Sequence, residues 1–79
     1  MNPTELSIIE ARVMTAARNA DTTRVALRRL MVAARRTGNP ATKSEVVAMR
    51  QIYNRNVATL KDARAALNAA MRAKKETHR

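Results

Sequence analysis

Arginine is the residue through which this chain can do chemistry with a partner. Twelve of its sixteen basic residues are Arg, against six acids, a formal net charge of +10 on 79 residues. A guanidinium presents a planar fork of donors that matches phosphate or carboxylate two bonds at a time, whereas an ammonium acts as a point charge. Arg28, Arg29, Arg35, Arg36, Lys43, Arg50 and Arg55 have no acid three or four residues away, the separations at which charges compensate on a helix. Arg24 does have one, Asp21. Residues 24–55 hold eight bases against the single acid Glu45, a net of +7, and the rest of the chain carries +3. Mixed signs serve solubility; an uncompensated cluster costs self-repulsion and points to an anionic partner. Placement near a helix C-terminus accounts for Arg35 and Arg36 through the helix dipole, but does little for Arg50 or Arg55.

Other chemistries find no footing. There is no cysteine and one histidine, His78, which excludes disulfides, thiolate sites and a histidine metal cluster. No nucleophile sits beside a base and no glycine-rich loop could cradle a phosphate, so the chain is expected to be non-enzymatic, with no cofactor and no small-molecule substrate. Glu5, Glu10 and Glu45 fall where helix starts are expected. No apolar run is long enough to span a bilayer and no leader pattern follows the start, so a cytoplasmic location, or one inside a virus particle, is expected. A cationic membrane-surface helix is disfavoured by the lack of Trp and Phe.

The elements that position the arginines follow from a heptad pattern. Leu6, Ile9, Val13, Ala16, Ala20, Thr23, Leu27, Leu30 and Ala34 step by three and four; so do Val46, Met49, Tyr53, Asn56, Leu60, Ala63, Leu67 and Ala70. Each set is the seam of a long helix. Between them lie the only glycine, Gly38, and the second of two prolines, Pro40. Asn2-Pro3 and Asn39-Pro40 pair a capping residue with a first-turn proline, and Thr42 to Glu45 offers a capping box. The sequence therefore predicts an all-α fold, one antiparallel helical hairpin over 1–79: helix 1 about 3–37, turn 38–41, helix 2 about 42–76, with helices of roughly 50 Å. Asn19 to Thr23 is poor in helix formers and marks a possible kink, or a break into three helices.

Seams so rich in Ala and Thr bury little, and Ala17, Met31, Ile52, Val57, Ala66 and Met71 widen them. Such stripes suit two hairpins paired as a four-helix bundle, or one hairpin docked on a larger assembly. The expected protein interface comprises Leu27, Leu30, Tyr53, Leu60 and Leu67 of the seams, with Ile8, Val25 and Val32 of a second apolar line on helix 1. Asn56 is placed to set register, and Tyr53 belongs to the core. The expected architecture resembles the small RNA-binding Rop type; no motif is shared, so no residue role carries over. The expected partner is nucleic acid or another polyanion, gripped at the turn by Arg24, Arg28, Arg29, Arg35, Arg36, Lys43, Arg50 and Arg55. The alternative is a structural or adaptor subunit of a virus particle or a transcription complex. In composition alone the chain also resembles the small, basic, Ala-rich helical proteins common among phage and ribosome-associated proteins.

Overall fold

A computed structural model describes residues 2–77 of the chain. It contains two α-helices, α1 (Pro3–Thr37) and α2 (Pro40–Thr77), which pack against each other. Among the described residues there is no strand. The rod measures 61 × 14 × 13 Å with a radius of gyration of 17.8 Å, against about 12 Å for a compact domain of this length.

The ends of the helices are set by side chains. Asn2 Oδ1 accepts a hydrogen bond from Glu5 N at 2.8 Å, and Pro3 fills the first helical position, where no amide hydrogen is needed. α1 stops at Gly38, which takes φ 61° and ψ 14° and donates its amide to Ala34 O at 2.9 Å. The left-handed conformation suits glycine because a Cβ would crowd the following carbonyl. Asn39 starts α2, its Oδ1 accepting from Ala41 N at 3.0 Å. The turn is thus Gly38 and Asn39, two residues shorter than the 38–41 of the sequence pattern. Asn39 takes the capping role, so Thr42 to Glu45 lie inside α2 and form no cap. Glu45 therefore lies beyond the first turn, which holds no acid.

α1 runs unbroken through Asn19–Thr23, which rules out three helices. The Thr23 hydroxyl satisfies itself within the helix, donating toward Asn19 O (2.9 Å) and Ala20 O (3.0 Å). Its oxygen then accepts from Asn56 Nδ2 of α2 at 3.3 Å. Asn56 thus ties the two helices in register at mid-rod.

Every residue of both predicted seams is covered, but only Ala16, Ala20 and Ala70 are buried, at 6 %, 7 % and 3 % exposure. The leucines and Tyr53 are half-buried. The flanking Ile52, Val57, Ala66 and Met71 are exposed rather than packed, because a two-helix pair offers a side chain cover from one direction only. The accessible surface is 6317 Å², where a compact monomer of this mass exposes about 4,800 Å².

Gly38 has open space where a Cβ would stand, so substitution there tests backbone strain alone. Gly38→Ala should lower stability by about 1 kcal/mol and Gly38→Asn by a fraction of that, measured by urea unfolding followed by circular dichroism. Leu27→Asp or Leu60→Asp places a carboxylate in the seam and should cost about 2–4 kcal/mol. Retention of the wild-type melting temperature by either variant would count against the seam.

Candidate nucleic-acid interface

The heptad phase sorts the remaining residues by direction. Take Leu27 and Leu60 as position a, Leu30 and Ala63 as position d. In an antiparallel pair, positions e and b of both helices then share one broad side of the rod, and g and c share the other. Surface depressions agree with this division. Arg35, Lys43 and Arg50 line one depression with Met31, Ala34 and Val46. Arg24, Arg28 and Arg35 line the next, again with Met31. These five cations, three from α1 and two from α2, therefore lie around one methionine. On the opposite side, a hollow of about 480 Å³ is lined by Ile8, Arg12, Thr15, Asn19 and Thr59 among others.

The depressions thus bring Arg24, Arg28, Arg35, Lys43 and Arg50 together, and the heptad phase assigns Arg29, Arg36 and Arg55 to the other broad side; all eight are exposed. Lys61, Arg64 and Lys75 extend the first side along α2, opposed there by Glu10 and Asp21. That side carries a net +6. The other side holds Arg12, Arg29, Arg36 and Arg55 against Glu5, Glu45, Asp62 and Glu76, a net of zero. The sequence divides the charge along the rod through its uncompensated turn half, and across the rod through its heptad phase.

Of these eight cations Arg24 is the one with an ion pair among the described residues. Its Nη2 donates to Asp21 Oδ1 at 2.7 Å. That hydrogen bond, and then the carboxylate's charge, raise the guanidinium pKa further above its already high value. Both side chains are solvent-exposed, so the pair is screened. Arg28, Arg29, Arg35, Arg36, Lys43, Arg50 and Arg55 make no side-chain hydrogen bond or ion pair among the described residues. Glu76 and Arg72, four residues apart on α2, form no ion pair; His78 and Arg79 lie outside the described residues.

Of the expected protein-interface residues, Leu27, Leu30, Tyr53, Leu60 and Leu67 lie in the seam between α1 and α2, half-buried. Ile8, Val25 and Val32 face away from it, 40 to 48 % exposed. Tyr53, the sole aromatic, is turned into the seam, and no aromatic platform for base stacking accompanies the cations. Among the described residues no cluster of three potential metal ligands occurs, and no helix is long and apolar enough to cross a membrane. No protein-family model matches this chain, and neither a curated protein nor a solved structure does.

Neutralising one side at a time resolves the site. If this side is a nucleic-acid interface, Arg28, Arg35, Lys43 and Arg50 changed together to Gln should weaken binding to a DNA or RNA duplex at least 100-fold. Arg29, Arg36 and Arg55 changed to Gln should weaken it less than 10-fold. Fluorescence anisotropy at fixed low salt measures both, with helicity as the control; equal losses would mean that the site is the whole tip rather than one side.

Proposed function

We propose that the chain is a non-enzymatic nucleic-acid-binding module, with hairpins pairing into a four-helix bundle and a cationic side near the turn contacting the phosphate backbone. The observation that carries this reading is the set Arg28, Arg35, Lys43 and Arg50: unpaired cations from both helices, gathered on a frame that holds them without a loop. Rigid placement spares the ordering cost that a disordered basic tail incurs on binding. Guanidinium forks suit phosphate oxygens, and backbone contacts of this kind position a protein on a duplex without reading sequence. Gln51 and Asn54, near Arg50 and Arg55, are exposed on α2, but a hairpin of two long helices offers no short recognition helix free to enter a major groove. Backbone or structured-RNA recognition fits better.

A second reading is favoured by the exposed Ile8, Val25 and Val32 on α1: a structural or adaptor subunit docking by its helices onto a larger protein assembly. The two readings part in dilute salt. A nucleic-acid module binds a 20-base-pair duplex there, and neutralising about five phosphates gives a slope of log K against log salt of about −4.5, a several-hundred-fold loss between 50 and 200 mM. Absence of binding in dilute buffer would reject the nucleic-acid reading in favour of the adaptor.

A further inference from the structure

We infer that the hairpin docks on a second copy of itself through its charge-balanced side, with the two rods antiparallel, so that each turn lies beside the open end of the other copy. This rests on the proposed pairing of hairpins and specifies its face and direction.

The face follows from electrostatics. Apposing two sides of net +6 sets eight bases against eight with two acids on each, and like charges across an interface are strongly disfavoured. The opposite side has no net charge and presents Ile8 and Ile52, 48 % and 42 % exposed; the cationic side exposes Met14, Val47, Val57 and Met71, so charge and not apolar area selects the face. The residues flanking its seam are otherwise small or uncharged over most of its length: Asn19, Ala26, Ala33, Thr59 and Ala66. At 61 Å by 14 Å, such a side matches in outline the roughly 800 Å² per partner that a stable interface requires.

The direction follows from how that side is charged along its length. Its turn half holds Arg29, Arg36 and Arg55 with Glu45, a net +2; its open half holds Glu5, Asp62 and Glu76 with Arg12, a net −2. Antiparallel copies set +2 against −2 at both ends, while parallel copies set like against like. In the antiparallel pair, two-fold symmetry stacks α1 on α1 and α2 on α2. Arg36 of one copy then comes level with Glu5 of the other, and Arg55 with Asp62. Arg29 comes level with Arg12, a like pair, so the gain lies in the sum. The whole turn halves, +7 each, also end up at opposite ends of the assembly.

The chain has no cysteine, so single-cysteine labels report cleanly. Ser44 lies on the outer surface of α2 near the turn, about fifteen residues from mid-rod. Spin labels on Ser44→Cys should sit about 45 Å apart in the antiparallel pair and about 20 Å apart in a parallel one. Ala66→Arg, on the balanced side, should convert the dimer to a monomer by light scattering; Val57→Arg, on the cationic side, should not. Both positions are exposed, so helicity by circular dichroism should survive in each. A 20 Å distance overturns the direction. A dimer broken by Val57→Arg and not by Ala66→Arg overturns the face. A monomeric wild-type chain overturns the pairing itself. None of these readouts involves nucleic acid, so failure of duplex binding leaves them intact.

Discussion

Between the two helices the buried side chains are alanines, and this fixes how much the pair can hide. A methyl group lets backbones come close but removes little apolar area from water, about 25 cal/mol for each Å². The larger residues of the seam, Leu27, Leu30, Leu60 and Leu67, are covered from the facing helix and open on their flanks. A third layer is what a Leu-rich bundle normally supplies at such flanks. The accessible surface of 6317 Å², well above the compact value, is the direct consequence. Exposed Ile8, Val25, Val32, Val47, Ile52 and Met71 are its local expression.

The same extended shape makes room for the charge. A compact 79-residue domain carrying +10 would crowd its cations onto about 4,800 Å² of surface, with more self-repulsion. Along a 61 Å rod they spread, and the heptad phase divides them into a cationic and a balanced side. Arg24 marks the boundary of the uncompensated group: Asp21 takes it at 2.7 Å, while Arg28, one turn on, has no such neighbour.

The seam was legible in the sequence because a 3.5-residue period survives any reasonable choice of helix ends. All seventeen positions from Leu6 to Ala34 and Val46 to Ala70 are covered. The turn was less so. Asn39 and Thr42 are both good caps, and only the geometry decides for Asn39, whose side chain reaches Ala41 N. The flanking Met71, Ile52 and Val57 have the spacing of packed residues, yet spacing cannot say whether anything lies on the other side of them. Asn56 was recognisable as a polar seam residue, but its partner Thr23 depends on the register between helices, which no single-helix pattern contains. The cationic cluster was visible as a count of unpaired arginines. Its separation into Arg28, Arg35, Lys43 and Arg50 on one side and Arg29, Arg36 and Arg55 on the other required an antiparallel partner to define the sides.

That register is what links the seam to the charged surface. Thr23 and Asn56 meet at mid-rod, in a seam otherwise composed of smooth apolar steps that would tolerate a shift by a heptad. A shift of seven residues moves α2 by about 10 Å along α1, carrying Lys43 and Arg50 away from Arg28 and Arg35 and dispersing the cluster around Met31. The short turn opposes such a slide, since Gly38 and Asn39 leave no slack, and the polar pair opposes it at the centre, where a displaced Asn56 would leave its amide facing apolar seam. Two modest constraints, one covalent and one a 3.3 Å hydrogen bond, hold the two backbones that carry these cations in one register.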